Sequence, residues 1–170
     1  GGQFSFDSCI IRGLNNNEYR NGLTFVHCDS VSVTNCQFVD LDNGINFSDY
    51  TWFGSNYFYG KVYVLNNTFD SLHTCLRLLG TLTDSVFISH NVMNEPYTGI
   101  DYNPDGFSAP AYISYNKINN AISMALQTGN FSGGYIHTLH CFNNMLSGRV
   151  SIYNQGTHPV HFNYNSIYGF

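Results

Sequence analysis

The chain has 170 residues, of which 10% are charged and 16% aromatic, and its 6 Lys and Arg against 11 Asp and Glu give a net charge of −5. This balance argues against a nucleic-acid partner, which needs a basic face, and no apolar run is long enough to span a membrane. The 5 cysteines form no CxxC pair or other metal-binding spacing, so we predict neither a metal site nor a disulfide framework.

A pattern of eight residues recurs along the chain. In chain order its copies are FSFDSCII (4–11), VSVTNCQF (31–38), VYVLNNTF (62–69), VFISHNVM (86–93), AYISYNKI (111–118), LHCFNNML (139–146) and VHFNYNSI (160–167). The first, third and eighth positions are apolar or small in every copy. Cys9 and Asn165, both at the sixth position, are 156 residues and six repeats apart, which is a mean period of 26. Such a period predicts stacked repeats rather than a single globular sheet.

A second, shorter element lies between the copies. It reads GLTF (22–25), GINF (44–47), CLRL (75–78), GIDY (99–102), SMAL (123–126) and RVSI (149–152). Apolar residues alternate with polar ones in all of these pieces and no stretch has a helical period, so each repeat consists of about three short strands. One coil of this size cannot bury its own apolar side chains, whereas stacked coils share a continuous core.

Asparagine occupies the sixth position of five copies, as Asn67, Asn91, Asn116, Asn144 and Asn165. Asparagine tolerates the left-handed conformation that a sharp bend needs, and its amide can bond the equivalent amide one coil away, about 4.8 Å along the stack. An ordinary turn preference would explain one such corner but not a whole column. We therefore predict an asparagine ladder. Cys9 and Cys36 occupy the same column, where we expect a buried thiol stack rather than a disulfide.

This pattern resembles the right-handed parallel β-helix repeat of the pectate-lyase-like superfamily, which includes pectate and alginate lyases, polygalacturonases, carbohydrate epimerases and bacteriophage tailspikes. The resemblance covers residues 4–167. It implies a right-handed, single-stranded parallel β-helix. With the repeats read above, we expect an all-β fold of six to seven coils with three short strands each, and with uncapped ends because no amphipathic segment precedes residue 4 or follows residue 167 in the sequence. We expect residues 1–170 to form one domain that continues into a larger protein or packs against copies of itself, as a homo-oligomer and, as in tailspikes, a trimer.

In that superfamily the strand equivalent to Gly99–Tyr102 belongs to the sheet that carries the substrate groove. Its outward column here is predicted to be Thr24, Asn46, Arg77, Asp101, Ala125 and Ser151. Adjacent coils would place Arg77 beside Asp101. A lyase could use Arg77 as the base and Asp101 to hold Ca²⁺ against a uronate carboxylate, whereas a hydrolase could pair Asp101 with Asp105 or Glu95. The alternative is a surface ion pair without a catalytic role.

Family motifs do not transfer a catalytic residue to this chain. The polygalacturonase sequences Asn-Thr-Asp, Asp-Asp, Gly-His-Gly and Arg-Ile-Lys are missing, as is the Asp-Pro-His-Asp motif of mannuronan epimerases. We predict no cofactor apart from the Ca²⁺ that a lyase would need. If the chain is an enzyme, a polysaccharide lyase or glycoside hydrolase is expected.

Aromatic residues suggest two contact surfaces. The segment 49–60 contains Tyr50, Trp52, Tyr57 and Tyr59, which could stack on sugar rings beside Asn46 and Asn103, or could instead cover neighbouring coils or form a subunit contact. An outward column of the eight-residue pattern holds Tyr63, Phe87, Tyr112, His140 and His161, which suggests lateral packing.

Two function classes follow. The first is a polysaccharide-directed β-helix, a glycan-binding or depolymerising protein that acts outside the cell or on a virion surface. The second is a non-catalytic structural or adhesive fibre. The first predicts that Arg77, Asp101 and Asp105 converge on an open groove, and the second predicts that the aromatic residues are buried against neighbouring chains.

Overall fold

The computed structural model describes residues 2–14, 20–26, 28–47, 57–58, 60–82, 84–104, 110–129, 138–153 and 159–169, with the backbone alone for residues 57, 58, 80–82 and 104. In these residues all 21 regular elements are β-strands, and they form three sheets. The chain passes through sheets 1, 2 and 3 in turn and then begins the next coil. Each strand therefore pairs with its counterpart one coil away.

Sheet 1 contains seven strands from the first half of the eight-residue pattern. They are β1 (Gln3–Asp7), β4 (Ser30–Thr34), β8 (Lys61–Leu65), β11 (Val86–Ser89), β14 (Ala111–Ser114), β17 (Leu139–Phe142) and β20 (Val160–Asn163). Sheet 2 contains seven strands from its second half. They are β2 (Ile10–Arg12), β5 (Gln37–Val39), β9 (Thr68–Asp70), β12 (Val92–Asn94), β15 (Lys117–Asn119), β18 (Met145–Ser147) and β21 (Ser166–Tyr168).

Sheet 3 is built from the second sequence element and has six strands in its main path. They are β3 (Asn21–Phe25), β6 (Asn43–Phe47), β10 (Thr74–Leu82), β13 (Thr98–Pro104), β16 (Met124–Thr128) and β19 (Arg149–Ile152). The two-residue strand β7 (Tyr57–Phe58) pairs with the end of β10. All strand pairs in the three sheets are parallel. The predicted all-β solenoid with three strands per coil is confirmed, and its handedness stays a prediction.

The inward columns form one apolar core that runs along the axis of the solenoid. In the first column of sheet 1 five consecutive residues are 0% exposed: Val31, Val62, Val86, Ala111 and Leu139. In sheet 2 the rings of Phe38 and Phe69 stack with centroids 4.9 Å apart. The same columns are open in the outermost described coils, where Phe4 is 45% and Ile167 50% exposed, since the described residues supply a neighbouring coil on one side only. The expected continuation or self-association stays a prediction.

The corner between sheets 1 and 2 uses two successive residues for two separate tasks. In every copy the fifth residue of the pattern has a positive φ of 54–57°: Ser8, Asn35, Asn66, His90, Tyr115, Asn143 and Tyr164. The left-handed residue therefore precedes the ladder residue, and it is asparagine in only three of the seven copies. The bend is a property of the stacked backbone, which imposes it even on tyrosine and histidine at a modest conformational cost.

The sixth residue builds the asparagine ladder, which is confirmed. Its Nδ2 atoms donate to the Oδ1 of the next coil at 3.0 Å (Asn67 to Asn91), 2.9 Å (Asn91 to Asn116), 3.0 Å (Asn116 to Asn144) and 2.8 Å (Asn144 to Asn165). Each of these oxygens also accepts the backbone N–H of the preceding ladder residue. Cys36 begins the series, since its N–H donates to Asn67 Oδ1 at 2.9 Å.

A second left-handed corner lies between sheets 2 and 3. The residue after each strand of sheet 2 has positive φ in five consecutive coils: Asp40, Ser71, Glu95, Asn120 and Gly148. Sequence reasoning missed this corner because its residue types share no side-chain chemistry. The corner directs the chain into sheet 3, and it thereby positions the outward side chains of that sheet.

Candidate functional site

One row of polar side chains runs along the outer face of sheet 3. The strand register places in it Thr24, Asn46, Arg77, Asp101, Gln127 and Ser151. Neighbours in the row are one strand spacing apart, about 4.8 Å, so each can contact the next. Five of the six are the residues predicted for this column.

The prediction of Ala125 in this row is wrong. Ala125 is 0% exposed and points inward, and Gln127 lies opposite Asp101. The sequence alignment treated Leu126 as the second inward residue of its strand, whereas it is the first and Thr128 is the second. Thr128 is fully buried, and its hydroxyl has no hydrogen-bond partner among the described residues. A buried polar residue at an inward position broke the apolar alternation that the alignment relied on.

Arg77 and Asp101 form the centre of the row. Arg77 Nε donates to Asp101 Oδ2 at 3.3 Å, and the exposed fractions of the two side chains are 39% and 13%. The amide of Asn103, two residues further along β13, donates to Asp101 Oδ1. Both carboxylate oxygens are thus engaged, and the predicted contact between Arg77 and Asp101 is present. Asn103 contributes here by holding Asp101 in place.

Two opposing effects act on the pKa of Asp101. Burial raises the pKa of the Asp101 carboxyl above its ordinary value of 3.8, while the ion pair with Arg77 and the hydrogen bonds from Arg77 and Asn103 act in the opposite direction. Desolvation is the larger effect because the neighbouring strands shield the carboxyl from water. A carboxyl with a raised pKa in contact with a cation can hold or donate a proton, which is compatible with acid–base chemistry as well as with binding.

Two substitutions should change the pH dependence of stability in opposite directions. The folded-state pKa of Asp101 is raised, so ionising it opposes folding as pH rises above 3.8. The pKa of exposed Asp7 is lowered, chiefly by hydrogen bonds from Thr34 Oγ1 and Asn35 Nδ2, so its stabilising contribution is present above 3.8 and is lost as pH falls below that value. Relative to wild type, Asp101→Asn should gain stability as pH rises, and Asp7→Asn should lose it.

Urea unfolding of the wild type and both variants, followed from acid to neutral pH, measures these differences. The two variants serve as controls for each other because each replaces an aspartate by its isosteric amide. Difference curves of the same sign would contradict the assigned environments.

Several predicted site residues lie outside the part of the chain that can be described. Asp105, Tyr50, Trp52 and Tyr59 belong to the segments between sheets 3 and 1 that the structure does not describe. Tyr57 lies in β7, whose backbone pairs with the end of β10, and its side chain lies outside the described part of the chain. The convergence of these residues on Asp101 therefore stays a prediction.

Asn46 lies beside Arg77 in the row, as predicted. Its side chain is partly exposed, but its Oδ1 is buried and has no hydrogen-bond partner among the described residues. A buried acceptor without a donor is costly, so a small rearrangement that brings a donor to this oxygen is favourable. A ligand hydroxyl could supply it only if the neighbouring side chains move.

Glu95, the other proposed partner of Asp101, is found in a different place. It lines an open polar concavity of about 520 Å³ at the corner between sheets 2 and 3, together with Asp70, Asn94, Lys117, Asn119 and Asn120. The described lining of this concavity includes Glu95 and not Asp101. The concavity is a second polar surface that sequence reasoning did not anticipate, because its residues come from an outward column and a left-handed corner of three coils.

The outward aromatic column forms a continuous stack on sheet 1. Ring centroids are 5.2 Å apart for Tyr63 and Phe87, 5.0 Å for Phe87 and Tyr112, and 4.9 Å for Tyr112 and His140 and for His140 and His161. Interplanar angles are 2–9°, so each inner ring has both faces covered by its neighbours. The stack presents ring edges outward, which suits packing against another surface better than stacking on sugar rings.

The described residues contain no cluster of three or more His, Cys, Asp and Glu side chains that could hold a metal ion. No helix long and apolar enough to cross a membrane occurs in the part of the chain that was described.

Comparison with known proteins gives no relative from which a site could be transferred. No family model, curated protein or solved structure matches the chain. The parallel β-helix is shown by the strand pairing in the three sheets. Membership of the pectate-lyase-like superfamily stays an expectation from the repeat pattern.

Proposed function

We propose that this chain is an extracellular β-helix that binds a polysaccharide along the outer face of sheet 3. The observation that carries the proposal is the row of hydrogen-bonding side chains centred on the partly buried cluster of Arg77, Asp101 and Asn103. Amide, hydroxyl, carboxylate and guanidinium groups together offer both donors and acceptors, which is what a hydroxyl-rich ligand requires.

The shape of the row also favours a glycan. Six side chains at strand spacing extend over about 24 Å, which suits an elongated polymer rather than a small molecule. A nucleic acid is disfavoured by the net charge of −5. An extended peptide would use a strand edge or alternating apolar pockets, and the row is polar throughout.

Depolymerisation is a further step of the same proposal. A glycoside hydrolase needs a second carboxyl about 5–10 Å from Asp101, and Asp105 is the candidate that follows it closely in the chain. A lyase would use Arg77 as the base, and the ion pair with Asp101 would have to open before Arg77 could reach a substrate proton.

Binding to a panel of neutral and acidic polysaccharides, including galacturonan, alginate, xylan and dextran, tests the proposal. We expect the wild type to bind at least one of them and Asp101→Ala to bind it roughly tenfold or more weakly, because a charge-assisted hydrogen bond contributes about 1.5–3 kcal/mol. New reducing ends or unsaturated products would add catalysis to binding.

Asn119→Ala, on sheet 2, is the matched control and should bind like the wild type. Undiminished binding by a folded Asp101→Ala variant would remove Asp101 from the site. A wild type that binds no member of the panel would count against the polysaccharide proposal itself.

A structural or adhesive fibre is the second candidate, and the aromatic stack on sheet 1 favours it. Its partly exposed ring edges form a stripe that could pack against a second copy of the chain. We expect the double substitution Phe87→Ser and Tyr112→Ser to abolish self-association in sedimentation velocity, while Asn119→Ala leaves it unchanged. A wild type that is monomeric at high concentration would contradict the lateral contact.

A further inference from the structure

Two cysteines replace the asparagines at one end of the ladder. The strand register pairs Asp7 with Thr34 and Ile10 with Gln37, which places Cys9 directly opposite Cys36 in the adjacent coil. At this point the backbone N–H of Gln37 donates to the carbonyl of Cys9 at 2.8 Å. In-register neighbours at strand spacing have Cα atoms about 5 Å apart, inside the range that a disulfide spans.

The two thiols have the same orientation. Cys9 Sγ donates to the carbonyl of Asp7 at 3.3 Å, and Cys36 Sγ donates to the carbonyl of Thr34 at 3.1 Å, in each case two residues earlier in the chain. The pKa of the Cys36 thiol is raised, chiefly because the thiol is buried. Register and thiol orientation together place the two sulfur atoms on the same side of the corner in adjacent coils.

The ladder column has no amide hydrogen bond at the step from Cys9 to Cys36. From Asn67 to Asn165 each step is tied by an amide–amide hydrogen bond and a backbone-to-amide hydrogen bond. A thiol is a poor donor and a poor acceptor, so the ladder column itself has no comparable side-chain link between Cys9 and Cys36. On the outer side of the same corner, the Asp7 carboxylate accepts hydrogen bonds from Thr34 and Asn35. A covalent bond between the sulfurs would supply a side-chain link in the column without a change in register.

We propose that Cys9 and Cys36 are an oxidisable pair whose disulfide takes the place of the amide link between the first two coils. The site is selective because Cys9 is partly exposed, whereas the other cysteines are buried: Cys28 at 3%, Cys36 at 2%, and Cys75 and Cys141 at 0% exposure. The pair lies at the corner between sheets 1 and 2, so the proposal does not depend on the polysaccharide site of sheet 3.

The oxidant in this scheme is a small disulfide such as oxidised glutathione. Cys9 loses its proton and attacks one glutathione sulfur, which forms a mixed disulfide and releases one glutathione thiolate. Cys36 then loses its proton and attacks Cys9 Sγ, which forms the Cys9–Cys36 bond and releases the second glutathione. Two thiols are oxidised by two electrons, and one glutathione disulfide is reduced to two glutathione molecules.

The experiment is incubation of the native protein with oxidised glutathione at mildly alkaline pH, followed by thiol counting in denaturant and peptide mapping by mass spectrometry. We expect the 5 free thiols of the reduced chain to fall by two, with Cys9 and Cys36 in one linked peptide pair. The linkage should raise the urea midpoint of unfolding, and a reductant should reverse the rise.

Single substitutions separate the steps. Cys28→Ser should form the same linkage as the wild type, Cys36→Ser should stop at a mixed disulfide on Cys9, and Cys9→Ser should not react. A wild type that keeps all of its thiols, stops at the mixed disulfide, or joins Cys9 to another cysteine overturns the proposal. If a serine variant fails to fold, the peptide map of the wild type still decides.

Discussion

Replacing Asn91 by alanine should lower the free energy of unfolding by about 2–5 kcal/mol, because it interrupts the asparagine ladder between Asn67 and Asn116. Asn91 is 0% exposed, and its Nδ2 donates to the carbonyl of Val64 and to Asn116 Oδ1, both at 2.9 Å. Its Oδ1 accepts the backbone N–H of Asn67 at 2.9 Å and the Asn67 amide at 3.0 Å. Alanine removes all four hydrogen bonds. The Asn67 amide still donates to the carbonyl of Val33 and Asn116 Oδ1 still accepts the backbone N–H of residue 91, whereas the backbone N–H of Asn67 loses its amide acceptor in a buried position.

Asn119→Ala is the matched control for the ladder. Its amide donates a single hydrogen bond to Asn94 Oδ1 at 2.9 Å in a partly buried position on sheet 2. Its loss should cost less than about 1 kcal/mol, since water replaces the lost bond. Urea unfolding at neutral pH measures both variants. Equal effects of the two substitutions would show that the ladder contributes no more than a surface amide pair.

Replacing Phe69 by alanine should lower the free energy of unfolding by about 3–5 kcal/mol. The ring is 0% exposed and stacks on Phe38 at an interplanar angle of 9°. It also lies beneath Gly44, where a Cβ would come within 2.9 Å of the ring. Strands on three sides hold the backbone in register, so the core cannot collapse into the space that the ring leaves.

Two further substitutions serve as comparisons for the destabilisation caused by Phe69→Ala. Phe69→Leu keeps most of the volume and should cost clearly less than Phe69→Ala. Phe4→Ala removes the same side chain at a position that is 45% exposed, and it should cost less than half as much. If Phe4→Ala and Phe69→Ala destabilise the chain equally in urea unfolding, the central coils contain no tightly packed core.

The inward columns and the ladder could be predicted because the same eight-residue pattern recurs in every coil, although the spacing between copies varies. Val62 and Val86 repeat in one column, and Asn67 and Asn91 repeat in another, at the same distance along the chain. Because the coils stack in register, residues at the same position of successive copies contact each other, as Val62 and Val86 or Asn67 and Asn91 do. The aligned copies therefore predict these contacts directly. No tertiary information is needed for such residues.

Register in sheet 3 was harder to predict, since the deciding residues do not repeat. The pairing of Gln127 with Asp101 required the inward position of Thr128, a polar residue in a column that is otherwise apolar in the central coils. The strand β16 also carries an irregularity between Met124 and Leu126 in its pairing with β19. Short-range alternation cannot reveal either feature.

The amino-acid sequence by itself determined that this chain forms stacked three-strand coils with amides at one corner. A coil that cannot bury its own apolar side chains needs neighbours with the same pattern, and that pattern recurs along the chain. Only the tertiary structure showed where the second left-handed corner lies, which residues form the outward row of sheet 3, and that the pKa of Asp101 is raised. These depend on which side chains of neighbouring coils meet and how much water they exclude. Both properties arise between coils that are distant in the chain, where residue type alone carries no signal.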